Sequence, residues 1–227
     1  MNAVSAELRK LGGLPLVVYT ATGTIAIGAL LAAALAGNAP PGTDAATAAL
    51  RAVPYLQAGM IVIGVVPISQ EYTGRQIGTT LTAMPRRMAV VLGKTVAAAA
   101  VLLTTSALAV AAALGAAATA LPWDQAAAHL GGAMIHLTLI GLLAHAVALV
   151  LRQLMASLIA VLLLVFALPP LLSPLGEHAR WLPERAGAQL YAPDDSILTP
   201  TTGALVLIAW IVVMGVIGSV LFARRDA

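Results

Sequence analysis

Cysteine is absent from the 227 residues, which excludes disulfides, thiolate metal ligands and cysteine nucleophiles. Charge is scarce as well. Only 9% of the residues are Asp, Glu, Lys or Arg, against about 25% in an ordinary soluble domain, so a water-soluble globule would lack the polar surface to cover itself. The net charge of +3 comes from twelve basic and nine acidic residues spread thinly along the chain. No basic run exceeds two residues, whereas a nucleic-acid interface needs a basic patch, so nucleic acid is not an expected partner. What the chain has instead is apolar length, with 60% hydrophobic residues and a mean hydropathy of +0.96.

A helix needs about 20 consecutive apolar residues to cross a bilayer. Six stretches of at least that order carry no Asp, Glu, Lys or Arg: Leu11–Thr43, Ala52–Gln70, Thr95–Trp123, Gln125–Leu151, Gln153–Gly176 and Ser196–Ala223. None alternates polar with apolar residues as an outer-membrane barrel strand does. The sequence therefore predicts an all-α polytopic membrane protein, a single domain over residues 1–227, with spans near 14–36, 52–70, 88–120, 128–150, 154–172 and 202–222. Basic residues orient such a bundle. With both termini cytoplasmic, the inside holds Arg9, Lys10, Arg75, Arg86, Arg87, Lys94, Arg152, Arg224 and Arg225, and the outside only Arg51, Arg180 and Arg185. Arg9 and Lys10 followed by Ala34-Leu35-Ala36 mimic a secretory signal, but the apolar run exceeds the roughly 7–15 residues of a signal core, so an uncleaved first span is expected.

Between the spans, Val4, Leu8 and Leu11 recur at helical spacing with Glu7 and Lys10 on the other side, which reads as a short amphipathic helix over residues 1–13 in the inner interface. The segment 173–200 carries Pro174, Pro183, Pro193 and Pro200. Its Trp181 and Tyr191 suit the headgroup level, and Glu184–Leu190 has room for one or two helical turns. An external cap and a plain loop both fit it. In the cytoplasmic segment 69–87, Ile77, Leu81 and Met84 share one face of a short helix, and Pro85 suits the first turn of the helix that follows. A two-turn helix cannot bury its own stripe, so that face docks either on headgroups or on a protein.

Few groups could carry chemistry. Gly93-Lys94-Thr95 ends like a phosphate-binding loop, but the glycine required five residues earlier is Met88 and no strand precedes it. Gly74 and Gly78 enclose Arg75 and are no intramembrane dimer motif. His129, His136 and His145 lie in or near the fourth span. The first two are seven residues apart, off the usual metal-pair spacing, and no Asp or Glu accompanies them at membrane depth, so packing at a helix interface is preferred to metal binding. No cofactor, proton relay or catalytic constellation is evident. The chain is not expected to be an enzyme, and any energy for transport has to come from another subunit.

The stretch Glu71-Tyr72-Thr73-Gly74, Leu81-Thr82, Pro85-Arg86-Arg87 and Lys94 resembles the ABC-2 type permeases, the membrane subunits of ABC exporters. The layout of interfacial helix, six spans and an external segment before the last span is similar over the whole chain. Trp181-Leu182-Pro183 and Ala186-Gly187 resemble external segments of actinobacterial-style members. The resemblance implies a plasma-membrane permease that pairs with a second permease copy, identical or similar, to form a substrate pathway worked by a separate nucleotide-binding ATPase subunit. It further implies that Glu71, Gly74, Arg75, Ile77, Thr80, Leu81, Pro85, Arg86 and Arg87 lie at or near the ATPase contact. A non-transporting scaffold or immunity protein, and a haem-exporter-type permease, are the rival readings.

Overall fold

The structure, a computed structural model, describes residues 3–40, 45–73, 87–117, 123–172, 178–194 and 198–225. Its helices are α1 (Ala3–Gly12), α2 (Pro15–Gly37), α3 (Ala45–Leu50), α4 (Val53–Thr73), α5 (Arg87–Ala117), α6 (Trp123–Leu151), α7 (Leu154–Leu171), α8 (Pro183–Ala188) and α9 (Pro200–Arg225). Six of them, α2, α4, α5, α6, α7 and α9, are long and apolar enough to cross a membrane. The chain is a multi-pass membrane protein. Among the described residues there is no strand, only an isolated bridge between Asp194 and Leu198.

Two spans form the centre. Within α4 and α6 61% of the apolar window is buried, against 17–22% in α2, α7 and α9. The central pair packs together, α5 closes on α2 and α6, and α9 lies along α6. The three peripheral helices turn Leu30, Met155, Leu171 and Leu205 outward, as helices must whose surroundings are lipid rather than water. Helices α4 and α6 approach closely at Gly64, where an added Cβ would run into the Gly141 carbonyl. Small residues serve this purpose in membranes, since van der Waals packing replaces the hydrophobic drive.

Three local features depart from the sequence reading. Ala45–Leu50 forms a helix in the connection between the first two spans, where the sequence reading expects none. Ala46, Ala48 and Ala49 are buried, and Ala48 and Ala49 form an alanine cluster with Ala32, Ala113 and Ala117, so small side chains let this piece lie flat on α2 and α5. The fifth span contains a π turn at Leu163–Ala167, with the Leu168 N–H donating to the Leu163 carbonyl. Pro169 and Pro170 follow at once and offer no N–H to the preceding turn, and the wider turn accommodates that loss. Between α6 and α7 the chain reverses within two residues, and Arg152 takes φ 59°, a conformation uncommon outside glycine.

Helix α1 is present as expected but docks differently. Leu11 is buried, Leu8 is exposed, and the polar residues Glu7 and Lys10 point into the bundle. The helix packs on α5 because the ends of α4 and α5 present charges that need partners.

Candidate functional site

Glu71 lies in the last turn of α4 and Lys94 two turns into α5. Both are almost fully buried, their side chains 3% and 6% exposed. The Lys94 ammonium donates to the Glu71 carboxylate and, at 2.9 Å, to Glu7 Oε1. Lys10, also from α1, donates to the same Glu71 oxygen. Two acids and two bases from three helices thus make a neutral cluster at one end of the bundle. An isolated ion there would cost several kcal/mol to desolvate, which only close pairing offsets. Glu71, expected at or near an ATPase contact, is turned inward and held by the chain itself.

A second pin lies at the same end. The Arg152 guanidinium stands over the Tyr72 ring at 4.9 Å and near the Phe222 ring at 5.9 Å. Cation–π contacts of this kind are worth about 0.5–2 kcal/mol, depending on desolvation. Through them the end of α4, the α6–α7 turn and the end of α9 are joined. The helices α4 and α5, which flank residues 74–86 in the chain, are therefore tied to each other and to the rest of the bundle. The Glu71–Lys94 pair ties the last turn of α4 to the first turns of α5. Gly74, Arg75, Ile77, Thr80, Leu81, Pro85 and Arg86 lie outside the described residues; Arg87 opens α5.

The histidines fall in different places. His129 is half-buried, while His136 and His145 are fully enclosed. His145 Nε2 lies 3.5 Å from Thr95 Oγ1. The His136 ring is 5.1 Å from that of Tyr191, under the cap formed by the segment between α7 and α9. Among the described residues no three His, Asp or Glu side chains gather as a metal would require. Between the histidines Ser106 and Thr138 share a hydrogen bond at 3.0 Å.

Residues 178–194 form the cap, with a 3₁₀ turn at 178–181 leading into α8. The Trp210 indole donates to the Trp181 carbonyl at 3.1 Å, fastening it to α9. Trp181 is exposed, as the headgroup reading expects, but Tyr191 is buried; its ring finds a neighbour in His136 that a headgroup layer would not offer. Burial raises the Glu184 carboxyl above its ordinary value of 4.5, while a hydrogen bond with Gln57 and the charge of Arg185 act in the opposite sense. Burial likewise raises the Tyr191 phenol, helped by the nearby Glu184.

Folding therefore takes up a proton at Glu184 in the pH range above 4.5. The stability this carboxyl contributes is complete below its ordinary value and is lost as pH rises through the elevated folded value. Glu184→Gln, which is never charged, should melt higher than the parent at pH 8 and with a shallower decline between pH 5 and 8. Thermal melts in detergent at stepped pH measure this, and identical slopes for the two proteins would refute it.

No family model matches the chain, and no curated protein matches it. The architecture and the two pins, rather than a relative, carry the functional reading.

Proposed function

We propose that this protein is the transmembrane permease subunit of an ATP-driven ABC-2 type exporter in the plasma membrane. Both termini and segment 69–87 face the cytoplasm, on the basic side of the bundle. A second permease copy completes the substrate pathway, and a separate ATPase subunit hydrolyses ATP. The observation that carries this reading is the closed base of the coupling segment. Glu71 and Lys94 lock the two helices that flank residues 74–86, so a push on that segment reaches α4 and α5 together instead of being absorbed by a slack loop. The central position of α4 then passes the movement to α6, against which it packs without room for a side chain at Gly64.

In this reading Ile77, Leu81 and Met84 form the apolar face that meets the ATPase, and Arg75, Arg86 and Arg87 supply charge around it. Leu81→Asp places a carboxylate in that face. Purified in mild detergent from its native membrane, the parent should carry an ATPase subunit with it. The variant should retain less than about a tenth as much, an affinity change near 1.4 kcal/mol, while its yield and melting temperature are unchanged. An ATPase that never accompanies the parent supports the scaffold reading instead. Equal retention by parent and variant removes segment 69–87 from the contact.

A further inference from the structure

Helices α5, α6 and α9 leave a groove between them at the basic end of the bundle, with a volume of about 460 Å³. It opens sideways, and its rims are made by Met88, Leu92, Val212 and Val216, all exposed. From Ile211 at the inner end to Val220 at the mouth it spans about 13.5 Å at 1.5 Å per residue. Both α5 and α9 are membrane-spanning helices, so what reaches the opening is a molecule dissolved in the bilayer.

The groove is not uniformly apolar. Thr95 and Ser219 lie in its wall, with His145 behind them. Thr95 Oγ1 donates to the Val91 carbonyl at 3.0 Å, and Ser219 Oγ to the Gly215 carbonyl at 2.7 Å. Hydroxyls bonded in this manner to their own helix can rotate to a ligand oxygen without leaving a backbone group that was previously satisfied by anything else. Their depth is informative. Helix α5 runs for 30 apolar residues from Met88, about 45 Å, which exceeds the hydrocarbon core of about 30 Å. The charged Lys94 beside Thr95 belongs to the end that reaches past the core, which puts Thr95 near the boundary where lipid ester groups reside. Beyond the mouth, Arg87 opens α5 and Arg224 and Arg225 close α9, so two of the three helices end in arginine at headgroup level, where basic residues attract anionic lipid.

From this order of features, apolar channel, hydroxyl pair, then arginines, we infer that the groove is a binding site for an anionic diacyl phospholipid of the basic-end leaflet. One acyl chain lies along the groove toward Leu142 and Ile211, an ester oxygen meets Thr95 and Ser219, and the phosphate lies outside the groove, at the level where α5 begins with Arg87 and α9 ends with Arg224 and Arg225. The inference does not depend on the exporter reading; it holds equally for a scaffold.

Gly215 provides the test, because a Cβ there meets nothing within 4 Å. Gly215→Leu should fill the groove without disturbing the helices, and Ser219→Leu fills it from the adjacent turn. The full chain is reconstituted in phosphatidylcholine nanodiscs containing a small fraction of phosphatidylglycerol with a photoactivatable diazirine on one acyl chain. After irradiation, adducts are mapped by peptide mass spectrometry. Adducts on residues 88–95 and 211–220 should exceed those on the equally exposed faces of α2 and α7 at least fivefold. Either leucine variant should remove that excess, leaving α2 and α7 labelling and the melting temperature unchanged. A diazirine phosphatidylcholine probe should show a smaller excess than the anionic one. Even labelling of all exposed faces, or an excess that survives both variants, overturns the site. So does occupation by a second copy of the chain, which would appear as disulfide-linked dimers of Val216→Cys, the sole cysteine in that variant.

Discussion

Glu71→Met should lower the stability of the protein by about 3–5 kcal/mol, because it leaves Lys94 buried with only the Glu7 carboxylate and Lys10 with none. For a chain of this length that corresponds to a fall in melting temperature of roughly 10 °C. Lys94→Met should be comparably damaging, since Glu71 would keep only Lys10 and Glu7 would lose its Lys94 partner. The informative variant is the double one. Glu71→Met with Lys94→Met removes one acid and one base together, leaves Glu7 and Lys10 on the more exposed side of the cluster, and should recover most of the loss. Lys10→Met should cost much less, because its side chain is 32% exposed and water screens its absence. Melting curves of the four purified variants in one detergent decide the matter. If the double variant is as damaged as the sum of the single ones, the cluster is not a coupled buried network. The same series separates structure from contact: a loss of ATPase retention in the double variant, with its stability restored, would place the Glu71 carboxylate at the partner surface after all.

Gly64→Ala should be a costly methyl group to add where two membrane-spanning helices cross. Its Cβ would collide with the Gly141 carbonyl of α6, which is backbone and cannot rotate aside. Overpacking among side chains costs about 1–3 kcal/mol, and a backbone obstacle belongs at or above the top of that range. Gly115→Ala, on the exposed side of α5 where a Cβ meets nothing within 4 Å, should be neutral or slightly stabilising because alanine favours the helix by about 1 kcal/mol. The comparison is read from the fraction of monodisperse protein surviving a graded heat step. Equal survival of the two variants would mean that α4 and α6 are not locked at this crossing, and with it would go the proposed route from residues 74–86 into the centre of the bundle.

How much of this could be read beforehand differs by element. The spans at 14–36, 52–70, 128–150, 154–172 and 202–222 correspond to α2, α4, α6, α7 and α9, with ends displaced by up to five residues, and α5 starts one residue before the expected 88. The reason is that bilayer thickness dictates length and the absence of charge marks the interior, and both are properties of one segment at a time. The candidate chemistry was legible only as residue types. Glu71, Lys94, Glu7 and Lys10 were each visible as charges near span ends, but nothing in their spacing of 61, 23 and 87 residues said that they meet.

Sequence alone determined that this is an all-α protein with six spans, no thiol chemistry, and its basic residues gathered toward one end. Tertiary structure alone decided that α1 turns its charged face inward, that Tyr191 covers His136 instead of reaching the headgroups, that Ala45–Leu50 coils against an alanine surface, and that α5, α6 and α9 part to form a groove. The division has a physical basis. Membrane insertion is an energy summed along a segment, and each segment contributes it without reference to the others. Pairing a buried charge, seating a ring or leaving a gap between helices depends on which segments become neighbours, and in this chain the paired charges lie 23 to 87 residues apart.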